Sequence, residues 1–146
     1  MTSGRLVFLA GAVIFGVSAP LRAQSVPRTI WDGVYTADQA RRGEEIYFHE
    51  CARCHGQFFD GGDEVPPLAG GQFMADWEGQ SVADLVRRIR LTMPMENPGH
   101  LDLAATADVA AYLLQANQIP GGNVELPSDP LRQNQIRIKE LRADTK

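Results

Sequence analysis

The sequence predicts an all-α fold with three main helices joined by loops. Apolar residues recur at helical spacing, most clearly at Val82, Leu85, Val86 and Ile89. Capping residues precede the helical segments, and clusters of glycine and proline separate them. No stretch of any length alternates apolar and polar side chains as a half-buried strand would. The 146 residues fit one domain with some unstructured sequence at its ends.

Residues 1–23 have the pattern of a secretory signal peptide. Arg5 precedes an apolar run from Leu6 to Val17, and the small residues after it predict cleavage following Ala23. The run is about a dozen residues, shorter than the ~20 that a bilayer span requires. The mature form is therefore expected to have no membrane span and to lie in the periplasm; an uncleaved N-terminal anchor is the alternative.

Residues 24–35 are expected to form an irregular lead-in to a domain over residues 36–119. Thr36 and Gln39 have the spacing of a capping box, which predicts a helix from there to about residue 50. Gly43 and Tyr47 lie four residues apart and so share a face of this helix. Because Gly43 has no side chain, another helix could cross closely there.

The second main helix is predicted to begin after Ser81 and to end near Thr92, since a residue before proline leaves the α region. Its three arginines are expected to point mainly away from the apolar stripe: Arg87, Arg88 and Arg90. The third main helix is predicted to begin at Asp102 or Thr106 and to end near Asn117.

Residues 120–146 are predicted to form a C-terminal extension. Pro120 and two glycines interrupt the helical pattern, and the sequence beyond them looks like an extended tail. Three apolar residues in it are candidates for a short docked segment: Ile136, Ile138 and Leu141.

Cys51, Cys54 and His55 form a C-x-x-C-H run that contains both cysteines of the protein. This spacing is typical of c-type haem attachment, in which the two thiols form thioethers with the haem vinyl groups and the histidine ligates the iron. A disulfide and a thioredoxin-like redox pair are the alternatives, but no βαβ pattern accompanies the motif. A zinc site would need further ligands at suitable spacing. One covalently attached haem c is therefore the predicted cofactor.

His55 is the expected proximal ligand, and its Nδ1–H needs an acceptor, for which a carbonyl in the Pro66–Leu68 loop is suitable. The candidates for the sixth ligand are Met74, Met93, Met95, His49 and His100. Met93 is favoured because it ends a helix, because Pro94 stiffens its segment, and because enough chain separates it from His55 to pass around the haem. Met95 shares the same loop and is its nearest rival.

These residues together resemble the class I monohaem cytochromes c over about residues 31–117. The matching residues and segments are Gly43, Tyr47, Cys51–His55, Pro66–Leu68, Trp77, Thr92–Pro94, Pro98–Leu101 and Asp108–Leu113. The lead-in over residues 31–36 resembles bacterial cytochromes associated with quinoprotein dehydrogenases. The resemblance implies that Gly43 and Tyr47 cross the last helix near Tyr112. It also implies roles for three site residues: the Pro66 carbonyl accepts from His55, Met93 ligates iron, and Trp77 lies near the haem propionates.

The charge balance is acidic and disfavours nucleic acid as a partner. After loss of residues 1–23, 12 basic and 18 acidic residues remain, a formal charge of −6. Such a protein is expected to dock on a redox partner with a basic patch, although the charge could serve solubility alone.

The expected function is one-electron transfer by a periplasmic carrier that is not itself an enzyme. A haem with histidine and methionine ligands leaves no open iron position, and methionine raises the reduction potential. The expected partners are a quinoprotein dehydrogenase as electron donor and a terminal oxidase or another cytochrome as acceptor. Two alternatives stay open: a haem enzyme or ligand sensor with an accessible sixth position, and a fixed cytochrome subunit of a larger oxidoreductase.

Overall fold

The computed structural model describes Met1 and residues 28–140, and this part of the chain is mostly helical. The helices are α1 (Ala37–Glu50), α2 (Ala52–His55), α3 (Gly71–Trp77), α4 (Val82–Thr92), α5 (Leu103–Ala116) and α6 (Pro130–Gln133). Two short strands, β1 (Arg28–Thr29) and β2 (Ile136–Arg137), pair in parallel. The predicted all-α class is confirmed, with α1, α4 and α5 as the three main helices.

The cap of α1 differs in part from the predicted capping box. The Thr36 hydroxyl accepts a hydrogen bond from the Gln39 backbone N–H at 3.2 Å, as expected of an N-cap residue. The Gln39 side chain does not return this bond. Instead, its amide donates to the carbonyl of Leu126 at 3.0 Å and accepts from the Leu126 N–H at 2.7 Å. Gln39 is therefore buried as an anchor for the C-terminal extension.

The caps of α4 and α5 follow from local sequence. The Ser81 hydroxyl and the Asp84 carboxylate bond reciprocally to each other's backbone N–H groups, which completes a capping box. Asp102, one of the two predicted candidates, caps α5 and accepts from the Ala105 N–H at 2.7 Å. Thr106, the other candidate, lies inside the helix, where its hydroxyl donates to the Asp102 carbonyl at 2.6 Å.

Helices α1 and α5 cross at Gly43, as the sequence predicted. A Cβ atom placed on Gly43 would lie 1.9 Å from the Asp108 carbonyl oxygen and 3.0 Å from Cβ of Tyr112. Beside the crossing, Arg42 donates to both carboxylate oxygens of Asp108, at 2.8 and 3.0 Å, and to Glu125 at 3.0 Å. The pKa of Arg42 is raised mainly by its hydrogen bond to Asp108, then by that to Glu125.

The C-terminal extension packs on the domain, which differs from the predicted extended tail but agrees with the predicted docking of Ile136 and Ile138. Leu126, Ile136 and Ile138 are buried in the core. Ile138 donates its N–H to the Gln80 carbonyl at 2.9 Å, next to the start of α4. Trp31 of the lead-in donates its indole N–H to the Lys139 carbonyl at 2.6 Å. The two ends of the described segment therefore lie side by side and hold each other in place.

Two sequence predictions fall outside these residues. The signal peptide over residues 1–23 is, apart from Met1, not described, and neither is Leu141. Within the described part of the chain, none of the helices has both the length and the apolar character needed to cross a bilayer.

Candidate haem-binding site

The C-x-x-C-H residues lie where α1 gives way to α2. Cys51 closes α1 by donating its N–H to the Tyr47 carbonyl at 2.9 Å. Its own carbonyl accepts from the N–H groups of Cys54 and His55, at 3.1 and 3.0 Å, and so begins α2. The two cysteines are free thiols at the ends of one helical turn. This arrangement suits attachment of both to one edge of a planar group.

The two thiols differ in their surroundings. Cys51 is partly buried, and burial, followed by the nearby Glu50, raises the pKa of its thiol to about 11. Cys54 is exposed at the surface. Near neutral pH the Cys51 side chain is therefore an uncharged thiol that packs against the core.

His55 is buried and has a fixed ring orientation. Its Nδ1 lies 3.2 Å from the carbonyl oxygen of Pro66. Because a carbonyl can only accept, this contact places the proton on Nδ1 and leaves the lone pair of Nε2 free for a metal. The structure thus brings Pro66 to His55, in the relation that the family resemblance implies.

The loop that carries Pro66 is held in place by its own backbone and by α5. Gly61 adopts φ of +66°, and a Cβ there would lie 2.2 Å from the Val65 carbonyl oxygen. Leu68 donates its N–H to the Phe59 carbonyl at 2.8 Å. Asn117, at the end of α5, donates from its amide to the Leu68 carbonyl at 3.0 Å. These bonds fix the position of the Pro66 carbonyl relative to α2.

An aromatic cluster supports the turn after His55. Tyr47, Phe59 and Tyr112 form three ring contacts, with centroids 4.7 to 5.5 Å apart. The Tyr47 hydroxyl donates to the Gly56 carbonyl at 2.8 Å, and burial raises the pKa of this tyrosine. The cluster ties α1, α5 and the attachment segment together.

The methionine candidates occupy three different environments. Met93 follows the last residue of α4, is half-buried, and donates its N–H to the Ile89 carbonyl at 2.9 Å. Met95 has 78% of its surface exposed, whereas Met74 is buried in the hydrophobic core. Among these three methionines, Met93 alone both lies at the end of a helix and has a partly exposed side chain.

The loop after Met93 is tied to the attachment segment. Glu96 forms an ion pair with Arg53 of the C-x-x-C-H run. His100 places Nε2 3.4 Å from a carboxylate oxygen of Glu50 and Nδ1 3.1 Å from the Asn97 carbonyl oxygen. Both ring nitrogens of His100 therefore already have partners, which disfavours it as an iron ligand. The other histidine candidate, His49, is exposed on α1.

Trp77 is the last residue of α3. Its ring is partly buried against the core, with its centroid 6.3 Å from that of Phe73. This packing fixes the indole at the junction of α3 and α4. The predicted place of Trp77 near the propionates stays a prediction.

Arg90 is less exposed than the sequence predicts. It was expected to point away from the apolar stripe of α4, but its Nε is fully buried and has no hydrogen-bond partner among the described residues. The expectation was wrong because helical spacing places Arg90 four residues after buried Val86 and three before Met93. That spacing was the available signal.

The residues of this region fit a covalent haem c. Two free thiols share one helical turn, and the buried His55 offers Nε2 beside them. Within the described part of the chain, no group of three or more His, Cys, Asp or Glu side chains could hold a metal ion. Two thiols that can form thioethers and one imidazole that can ligate iron are the groups that a covalent haem c requires.

Comparison with known proteins gives one family match. The profile of the family described as "Cytochrome C oxidase, cbb3-type, subunit III" matches residues 38–113, more than half of the 146 residues. The matched segment runs from the first turn of α1 almost to the end of α5. It includes the attachment motif, Pro66 and Met93. No curated protein sequence matches the chain.

Among solved structures, the chain is similar to the crystal structure of the sulfane dehydrogenase SoxCD from Paracoccus pantotrophus. The sequence identity is 20% and the TM-score is 0.48. The match covers 74% of this chain and 61% of that chain, so this chain spans less than two thirds of its length.

Proposed function

Because the chain belongs to the family described as cytochrome c oxidase, cbb3-type, subunit III, we propose that it carries single electrons on a haem c ligated by His55 and Met93. Family membership confirms the coarser predictions, which are a class I monohaem cytochrome c, a covalent haem c and haem-based electron transfer. The ligand pair, the partners and the compartment are the proposal.

Each site residue has a distinct task in this proposal. Cys51 and Cys54 hold the macrocycle through thioethers, and His55 offers Nε2 to the iron. Pro66 orients the His55 ring by accepting from Nδ1. Met93 closes the sixth position with its thioether sulfur, which favours the ferrous state relative to a second histidine. Bound haem c supplies an iron centre that takes up and gives off one electron.

The observation that carries the proposal is a pair of contacts between the segment that holds His55 and the loop that follows Met93. The Arg53–Glu96 and His100–Glu50 contacts connect the segment just before His55 with the loop just after Met93. The Arg53–Glu96 ion pair and the His100–Glu50 contact thus support a closed site in which His55 and Met93 approach the same group. A site closed by two protein ligands suits electron transfer, because no position on the iron is left for a substrate.

The experiment that tests the ligand pair compares Met93→Ala with Met95→Ala in holoprotein produced with haem-maturation machinery. Met93→Ala is expected to open the iron, so the reduced protein binds carbon monoxide and the oxidised protein loses its weak long-wavelength sulfur-to-iron band. Met95→Ala is expected to keep the band, because the Met95 side chain is largely exposed. Carbon monoxide binding by the Met95 variant alone would overturn the assignment.

The proposed setting is the periplasm, between a dehydrogenase that donates electrons and a terminal oxidase or another cytochrome that accepts them. The signal-like pattern of residues 1–23 supports export, and the family description supports an oxidase as acceptor. The formal charge of −4 for the full chain supports a donor with a basic docking surface. In this role the protein is a carrier and not itself an enzyme.

A purified quinoprotein dehydrogenase that has been reduced by its substrate provides the test of the donor. The rate at which it reduces the holoprotein is expected to fall as salt is added, because salt screens the attraction between opposite charges. A rate that is negligible at low salt, or that rises with salt, would contradict this choice of partner.

A further inference from the structure

Arg90 is a half-buried arginine on α4. Its Nε is completely enclosed and makes no hydrogen bond with any described residue. An enclosed donor on a charged group is costly unless a partner compensates for the lost hydration. The Nε–H of Arg90 therefore needs an acceptor, and a carboxylate is the one that best compensates a guanidinium.

The described carboxylates do not supply this acceptor. Within residues 28–140, the carboxylates that form ion pairs contact four other arginines, which are Arg41, Arg42, Arg53 and Arg87. Glu50 contacts His100. Arg87 lies on the same helix and is satisfied by Asp84 at 2.9 Å. Among the described residues, the enclosed Nε of Arg90 is therefore left without an acceptor.

The position of Arg90 on α4 relates it to the haem site. Residues three or four apart on a helix are neighbours on one face, which groups Arg90 with buried Val86 before it and with Met93 after it. Arg90 thus lies one turn before the proposed sixth ligand. A haem held by Met93 would bring two propionates, and a propionate is a carboxylate that can accept from a guanidinium.

We propose that the Arg90 guanidinium binds a haem propionate and holds it as a carboxylate. This inference rests on the proposed attachment of haem between His55 and Met93. Guanidinium and carboxylate form short charge-assisted hydrogen bonds, often two in parallel. Arg90 is a binding and positioning residue that does not touch the iron.

A paired cation at this place has two consequences for the holoprotein. Its positive charge disfavours the ferric state, which raises the reduction potential. It also favours the ionised propionate, so the propionate titrates well below neutral pH. Without the cation, the potential should be lower, and it should fall with rising pH across the neutral range as the propionate loses its proton.

The test is redox titration of holoprotein at several pH values for the natural sequence, Arg90→Gln, Arg90→Lys and the control Arg88→Gln. Arg88→Gln removes the same charge from the same helix, but its side chain is exposed. We expect a lower, pH-dependent potential for Arg90→Gln, partial recovery for Arg90→Lys, and little change for Arg88→Gln.

The outcomes separate this inference from the proposed function. If Arg90→Gln keeps the sulfur-to-iron band and the potential of the natural protein at every pH, the propionate role is wrong, while the carrier role stands. Equal shifts for Arg90→Gln and Arg88→Gln would also overturn it, since they would indicate a general charge effect. If the natural protein lacks the sulfur-to-iron band, the ligand pair itself fails. If Arg90→Gln yields no holoprotein, the Arg90→Lys variant is compared with the natural protein instead. An Arg90→Lys potential equal to that of the natural protein would overturn the propionate role of Arg90.

Discussion

The absence of a side chain at Gly43 lets α1 and α5 approach until a backbone carbonyl occupies the space of a methyl group. A Cβ there would lie 1.9 Å from the Asp108 oxygen, which requires one helix to move. Asp108 also holds Arg42 at 2.8 Å, so a shift of α5 would strain this ion pair as well. The attachment segment continues directly from α1, which couples this crossing to the haem site.

Gly43→Ala is therefore expected to destabilise the protein by about 1–3 kcal/mol, the usual cost of overpacking. This cost exceeds the roughly 1 kcal/mol that alanine gains over glycine inside a helix. Urea unfolding of the holoprotein measures the change. Gly71→Ala is the matched control, because a Cβ at Gly71 meets nothing within 4 Å. Equal stability of the two variants would contradict the steric argument.

Some residues of the candidate site could be predicted from the sequence because the pattern that identifies them spans only a few positions. Cys51, Cys54 and His55 stand within five positions, and the proline after Met93 marks a helix end. The helical spacing of Arg90 indicated its position beside Val86 and Met93, but the enclosure of its Nε could not be predicted, because it depends on how α4 packs against the rest of the fold. Gln39 was misread for a similar reason: its partner Leu126 lies 87 residues away.

At the scale of secondary-structure elements, the start of α4 depends on the pairing of Ser81 with Asp84. The Ser81 hydroxyl donates to the Asp84 carboxylate at 2.6 Å and accepts from the Asp84 N–H at 3.2 Å. The hydrogen bond from the Ser81 side chain, followed by that from its backbone N–H, lowers the pKa of Asp84. This carboxylate therefore stabilises the folded state while it is ionised.

Ser81→Ala is expected to cost about 1 kcal/mol of folding stability near neutral pH, as for other N-cap serines. Because the folded pKa of Asp84 is lowered, its contribution is present above the unfolded pKa of about 4 and disappears as the pH falls through the folded value. The difference between natural protein and variant should thus shrink in acid. Urea unfolding from pH 7 to pH 3 checks this, with exposed Ser128→Ala as control. A difference that is constant across this range would refute the role of Asp84.

The helices were predictable because capping residues, apolar spacing and proline act within a few positions. The pairing of β1 with β2 was not predictable, because each strand has two residues and the pair joins Arg28 to Ile136. Alternation cannot be detected over two residues. Only the packed chain brings these segments together.

At the scale of the whole molecule, the C-terminal extension is part of the core and not an appendage. Ile138 is fully buried, and its backbone joins the turn before α4. Gly122 approaches Gly33 so closely that a Cβ on Gly122 would lie 2.2 Å from the Gly33 carbonyl oxygen. The extension thus clamps the lead-in against the domain.

Ile138→Ala is expected to destabilise the holoprotein by about 2–5 kcal/mol, because it removes buried methyl groups and leaves a cavity. Leu131→Ala alters the same extension at a side chain that is 78% exposed, and it should change stability by less than about 0.5 kcal/mol. Thermal or urea unfolding of the two variants side by side measures the difference. Similar small effects would show that the extension does not contribute to the core.

The most direct test of the central claim is the optical spectrum of the holoprotein, oxidised and then reduced, with and without carbon monoxide. A haem closed by His55 and Met93 predicts a weak long-wavelength sulfur-to-iron band in the oxidised state. It also predicts that carbon monoxide leaves the reduced spectrum unchanged. A missing band together with ready carbon monoxide binding would contradict the claim, because it would show an open iron suited to a haem enzyme or ligand sensor.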